Sequence, residues 1–358
     1  LQPFQLQNLE EKVLFEIDGS QKSGSGTILR LSIALAAIKQ QPLHICNIRQ
    51  QRPQPGLKRQ HLESVLTAAK LCNAKVEGAS FASRELWFTP KEILGGSIEA
   101  EIETAGSIPM LLMSVLPICI FAKNPVRLHV AKGGTDTTHA PTINYLRFML
   151  LHTLKRMGVE AEITVQKYGY YPKGMGEATL TIKPNPSLTP VRLENFGKLK
   201  SIKGVSVCTF LADRQVAERQ AKAAKETLNQ NGYQAEIQVV NDQSNTYQKG
   251  SSIVLWAETD TGAIVGADAI GELRKSSEAV GKEAAEKLIT ELCVEPTVDV
   301  FLADMLIPYM ALANGKSVLF ARSVSEHIES NIWLMEKMLN SKFTIKKVNN
   351  LYRIEKSS

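Results

Sequence analysis

Residues 61–89 read HLESVLTAAKLCNAKVEGASFASRELWFT. As far as residue 74, apolar residues recur at three- and four-residue spacing, the mark of an amphipathic helix. Residues 75–78 and 85–89 then alternate or carry β-branched side chains, as short paired strands do. The phrase is helix, strand, turn, strand. It returns at 140–157, 159–166 and 177–182, again at 214–231, 235–240 and 253–257, and last at 327–339, 343–348 and 351–354. A chain that repeats one supersecondary unit builds its core by packing the copies together.

A second phrase, helix then strand, precedes three of these copies: 26–39 into 43–48, 108–122 into 126–131, and 304–313 into 317–321. Joined, the two phrases give a β-α-β-α-β-β unit used three times. The remaining copy, near residues 190–275, interrupts the last unit, with the Pro-rich KPNPSLTP at 183–190 and the polar GELRKSS at 271–277 on its flanks. The expected fold is α+β: a large three-unit domain from residues 1–186 and 276–358, with a smaller α+β domain inserted at 187–275.

The 358 residues are 44% hydrophobic, 22% charged and 6% aromatic, which excludes disorder and collagen-like repeats and suits about two domains. Lys and Arg number 42 against 36 Asp and Glu, a net charge of +6 that permits a phosphate-rich partner without demanding one. Cys46, Cys72, Cys119, Cys208 and Cys293 are scattered and never form C-x-x-C, so buried thiols in a reducing compartment are expected. Residues 1–12 are polar and do not read as a signal peptide. The most apolar stretch, 108–122, is too short to span a bilayer. A soluble cytoplasmic protein with no membrane contact is expected.

Four loops offer sites for anions. Residues 18–30, DGSQKSGSGTILR, join the apolar strand 13–17 to a helix. Small residues there let backbone N–H groups converge at a helix start, where an anion can sit. They also suit a plain tight turn. The loop is no Walker A motif, because the order G-x-x-x-x-G-K-[ST] is absent. Residues 49–61, RQQRPQPGLKRQH, place Arg49, Arg52, Lys58 and Arg59 within eleven residues, either a phosphate contact or a solvated basic loop.

Residues 133–141, GGTDTTHAP, repeat the glycine turn, with Asp136 or Thr137 able to serve as an N-cap instead. Residues 322–331, RSVSEHIESN, put His327 in the first turn of the last helix. His61 and His139 stand at the corresponding helix entrances, so the repeat would gather three entrances around one basin. The histidines show neither H-x-x-H nor H-E-x-x-H, which argues against a zinc hydrolase, and G-x-S-x-G is missing.

Nine segments stand in a fixed order: DGSQ and GTILR within 18–30, RPQPGLKRQHL at 52–62, AGS at 105–107, GGTD at 133–136, GYYPKGMG at 169–176, VAER at 216–219, FLADMLIPYMALA at 301–313 and SEHIESNIW at 325–333. Together they resemble the RNA 3′-terminal phosphate cyclase family over nearly the whole chain. The resemblance implies three β-α-β-α-β-β units like the C-terminal domain of a translation initiation factor, plus an inserted domain. It implies a ligase that uses ATP, with Mg²⁺ or Mn²⁺, to turn RNA 3′-phosphate ends into 2′,3′-cyclic phosphates through a histidine–AMP adduct and an RNA-adenylate, releasing AMP and pyrophosphate.

By the same resemblance the nucleophile is His327. Met113, Phe301, Leu302, Ala303, Asp304, Met305, Arg30 and Gln60 would hold the nucleotide, and Arg49, Arg52 and Arg59 the substrate phosphate. No metal ligand is assigned. A neutral imidazole is a competent nucleophile near pH 7, and fixed cations suit the phosphates.

The sequence departs from the family pattern at Ser23, where a metal-holding glutamate is usual, at Met113 and Met305, where glutamines are usual, and at Phe301. Each change replaces polar capacity near the nucleotide. A weakened or inactive cyclase-like RNA-binding protein, of the ribosome-biogenesis type, is the alternative. An enolpyruvyl transferase shares the repeated fold but needs no nucleophilic histidine.

Overall fold

The computed structural model of the chain describes residues 13–357, so the polar stretch 1–12 lies outside the described residues. β1 (Phe15–Asp18) turns into α1 (Gly26–Lys39), where Ser25 Oγ accepts the Thr27 N–H at 3.3 Å and satisfies one of the free donors of a helix start. β2 (Leu43–Cys46), α2 (Arg59–Cys72), β3 (Lys75–Glu77) and β4 (Leu86–Thr89) complete a sheet of order β1-β2-β4-β3. β1 runs parallel to β2, and the other pairs are antiparallel. α1 packs against α2 and two helices met below, which is why residues 28–37 read as almost uniformly apolar instead of amphipathic.

The next stretch repeats the plan. β5 (Gly96–Glu101), α3 (Ile108–Ile120), β6 (Val126–Gly133), α4 (Ile143–Tyr145), α5 (Leu151–Arg156), β7 (Glu160–Lys167) and β8 (Gly176–Lys183) follow in order, with a π-helical turn, Leu146–Leu150, joining α4 to α5. The sheet order is β5-β6-β8-β7, again with one parallel pair at the start.

A different sheet follows. β9 (Leu199–Thr209), α6 (Val216–Gln230), β10 (Ala235–Asp242), β11 (Gly250–Thr259), β12 (Ile264–Ile270) and α7 (Ser277–Leu292) form a sheet of order β10-β9-β11-β12 backed by the two helices. It owns a core that includes Leu228, Ile253, Leu255, Ala284 and Leu288. The division expected at residue 275 gives α7 to the large body; α7 packs instead on α6, β11 and β12.

α8 (Val300–Leu312), β13 (Ser317–Ala321), α9 (Glu326–Leu339), β14 (Phe343–Val348) and β15 (Leu351–Lys356) end the described chain, with order β13-β15-β14. Beside β13 lies a short segment from before the inserted sheet. Leu193 N–H donates to Val318 O at 2.9 Å, and Val318 N–H to Val191 O at 2.8 Å, a parallel contact. Residues 191–193 thus stand where β1 stands beside β2, although the sequence reading gave them to the insertion. Among the described residues no helix is long and apolar enough to cross a membrane. The five cysteines are free; Cys72, Cys119 and Cys208 are buried as expected, Cys46 is half-buried and Cys293 is exposed.

Candidate active site

α1, α3, α8 and α9 meet around a cavity of about 660 Å³. α1 contributes Thr27 and Arg30, α3 Met113, α8 Phe301, Asp304 and Met305, and α9 His327 and Asn331. The far wall comes from residues 138–141 and from Asp268, Lys275, Glu283 and Lys287 beside the inserted sheet.

Ser325 Oγ accepts the Ile328 N–H at 3.1 Å, so α9 begins with its own cap and carries His327 in its first turn. The imidazole is half-buried, and its buried Nδ1 has no hydrogen-bond partner. Burial, then the charges of Arg30 and Arg52, hold its pKa below the ordinary histidine value, so the ring is neutral at pH 7.

Arg30 is 9% exposed and donates from Nη2 to Thr27 Oγ1 at 3.1 Å. Burial lowers its pKa to about 10, partly offset by Asp304, which leaves it a cation at neutral pH. Asp304 is pushed up to about 7 by burial, with Arg30 opposing. Asn331, one helical turn after His327, donates through Nδ2 to both the side chain and the backbone oxygen of Asp304.

The glycine loop is tied to the same helix. Ser23 N–H donates to Ser330 Oγ at 3.2 Å, and its hydroxyl lies 3.0 Å from Ser25 Oγ. At Gly26 only a hydrogen fits: a Cβ there would overlap the His61 ring and lie 2.8 Å from Arg30 Nη1. Arg52 reaches Ser23 O at 3.5 Å and stands close enough for its charge to act on His327.

Several expected residues lie elsewhere. Leu302 and Ala303 are fully buried in the core on the inner side of α8, because the cavity meets only the face carrying Phe301, Asp304 and Met305. Gln60 Oε1 accepts the Ser107 N–H at 2.9 Å and so fastens α2 to the start of α3. Arg49 spends Nη1 on its own loop, donating to Gln54 O at 2.9 Å and Gly56 O at 2.8 Å. Arg59 faces outward, 3.9 Å from Glu103 and 6.0 Å from the Phe81 ring centre.

Of the three histidine entrances, His139 lines the cavity while His61 is buried beneath Gly26. Thr27 and Asn331 were not singled out from sequence, though Asn331 sits at the i+4 position from His327 and shares its helix face.

Among the described residues no group of three or more His, Cys, Asp or Glu forms a metal site. The Ser23 hydroxyl is engaged with Ser25, and Arg30 and Arg52 place positive charge near His327. The described side chains therefore form no ready-made cluster that would hold Mg²⁺ or Mn²⁺ without oxygens from a bound phosphate.

Residues 21–345 match the family model described as RNA 3′-terminal phosphate cyclase. The chain belongs to the RNA 3′-terminal phosphate cyclase family. Membership of this family makes it a ligase-class enzyme. An RNA 3′-terminal phosphate cyclase of Pyrobaculum neutrophilum is 43% identical over 339 residues, covering 95% of this chain and 97% of the relative. Relatives of the same name from Pyrococcus furiosus and Methanopyrus kandleri are 42% and 41% identical, covering 92% and 91% of this chain and 94% and 93% of their own. Within the matched range the glycine loop and the start of α9 meet at His327.

Proposed function

We propose that this chain uses ATP to convert an RNA 3′-phosphate into a 2′,3′-cyclic phosphate, with His327 carrying AMP between the two substrates. The observation that supports it is a half-buried imidazole, its pKa held below the ordinary value, lining one cavity with Arg30, Asp304 and Phe301. A neutral imidazole carries a lone pair that can attack an electrophilic phosphorus.

In the first step the imidazole nitrogen bonds to the α-phosphorus of ATP, and the bond to the β-phosphate oxygen breaks, releasing pyrophosphate. An RNA 3′-phosphate oxygen then attacks the same phosphorus, and the P–N bond breaks to free the histidine. Finally the neighbouring 2′-oxygen, losing its proton, attacks the RNA phosphorus and expels AMP. Activation turns a poor leaving group into a good one.

Arg30 and Arg52 supply fixed positive charge for the phosphates, and the N-terminus of α9 adds its dipole. Phe301, 66% exposed at the cavity mouth, offers an aromatic face to adenine. Met113 and Met305 make the adjacent wall apolar. Free cysteines without a disulfide suit work in the reducing cytoplasm.

The test is a 3′-phosphorylated oligoribonucleotide incubated with ATP and then with phosphatase. The expected product resists phosphatase with wild type and stays sensitive with His327→Ala. A wild-type product that remains phosphatase-sensitive, with or without divalent ions, would contradict the assignment.

A further inference from the structure

The reaction changes only the 3′-phosphate and 2′-oxygen of the last nucleotide, so the RNA behind it extends from the cavity over the protein surface. Two loops are built to receive it. The first, residues 168–176, joins β7 to β8 and includes the first residue of β8; the second, residues 243–250, leads into β11 of the inserted sheet. They are stitched together by side chains. Asn245, 1% exposed, donates through Nδ2 to Tyr168 O at 2.7 Å and to Gly174 O at 3.1 Å. Gln248 Nε2 donates to Tyr171 O at 3.1 Å, and Gly174 N–H to Tyr170 O at 2.7 Å.

On this fixed base two aromatic rings face solvent: Tyr171 is 76% exposed and Tyr247 61%. Lys173 and Lys249 are exposed beside them, and neither makes an ion pair among the described residues. Residues 168–176 and 243–250 contain no carboxylate. Exposed aromatic faces with unneutralised cations are how single-stranded RNA is held without strong sequence preference.

The platform is continuous with the cavity. Thr135 and Asp136 donate their N–H groups to Gly169 O, and the chain runs on from that turn into residues 138–141 of the cavity wall. Gly174, at φ +72°, has its absent Cβ 2.9 Å from Thr104 O and 3.0 Å from the Ala105 α-carbon. Gly106 in turn abuts Gln60, next to Arg59 and the basic loop. The groove over Phe148 and Trp256 differs: those rings already cover each other at 4.6 Å, and Lys183 and Lys203 there face Glu160 and Glu258.

We propose that Tyr171 and Tyr247, with Lys173 and Lys249, form a docking platform for the single-stranded RNA upstream of the reacting 3′-phosphate. The proposal rests on the cyclase reading. The test compares a 3′-phosphorylated RNA of about eight nucleotides, a span within reach of such platforms, with a dinucleotide 3′-phosphate. The double variant Tyr171→Ala, Tyr247→Ala weakens the longer RNA about tenfold or more, since each stacked base adds binding of that order. It leaves the dinucleotide and the labelling of the enzyme by α-labelled ATP unchanged.

Tyr171→Phe with Tyr247→Phe keeps full affinity. Lys173→Ala with Lys249→Ala flattens the slope of log affinity against log salt by about 1.4, two single-strand phosphate contacts. Unchanged affinity for the longer RNA in the alanine double variant overturns the platform, and so does an altered oligomeric state with RNA binding intact, which would mark a protein contact. Failure of wild type to be labelled by ATP overturns the cyclase reading alone.

Discussion

His61 and His327 both lie in the first turn of the helix that follows a strand, in α2 and α9, and both feel the charge of Arg30. Their fates differ. Lys58 provides no capping side chain for α2, so His61, the third residue of the helix, turns its Nδ1 back to accept the Lys58 N–H at 3.3 Å. Ser325 already caps α9, and His327 is the second residue, rotated about 100° from the capping direction. The first ring is sealed under Gly26, and the second opens to the cavity. Residue type is the same; the position within the turn decides whether the imidazole is a structural acceptor or is left facing the cavity.

The comparison can be broken first at His61. Burial, then Arg30, Arg49 and Lys58, lower its pKa to about 2, against 6.5 for an ordinary histidine. The unfolded chain therefore takes up this proton first. The contribution to stability is full above pH 6.5 and shrinks as pH falls, by about 1.4 kcal/mol per pH unit. His61→Ala should cost about 1–3 kcal/mol at pH 7.5, because the Lys58 N–H loses its acceptor and the ring leaves a void.

The variant should also converge with wild type as pH drops below 6.5. Asp136 and Asp304, both pushed up to about 7 by burial, slope the opposite way but are shared and cancel in the difference. Denaturant titrations at several pH values check this; a constant difference between pH 7.5 and 5 would show that His61 is not held neutral.

A smaller effect sharpens the other half. Arg52 helps keep His327 unprotonated. Arg52→Gln should therefore move the acid limb of the enzyme–AMP labelling rate to higher pH, whatever it does to the plateau. A limb that stays in place would mean that burial and Arg30 alone set the ring's state.

Much of this was readable beforehand where one physical signal acts alone. The alternation of 3.6- and 2-residue periods located α2, β3, β4 and their later counterparts, including α9 from residues 327–339. The misplaced pieces have definite causes. Residues 191–193 pair with β13 across more than a hundred positions of sequence, and nothing local announces such a contact.

α7 is amphipathic in its own right, so its pattern cannot say which sheet it covers. Leu302 and Ala303 lie within a helix that is apolar almost all round, Asp304 apart, leaving little phase to separate cavity from core. Arg59 and Gln60 adjoin His61, which packs under the glycine loop, yet each step along α2 turns the side chain by about 100°. The cavity wall beside the inserted sheet, with Lys275 and Lys287, needed the third dimension to be seen.

The most direct trial of the central claim is a chase. The protein is labelled with α-labelled ATP, freed of nucleotide, digested and mapped, while a second portion receives 3′-phosphorylated RNA. The account predicts acid-labile label on the peptide that holds His327, its discharge as AMP when RNA is added, and no label in His327→Gln. Label on another residue, or label that RNA cannot discharge, would contradict it.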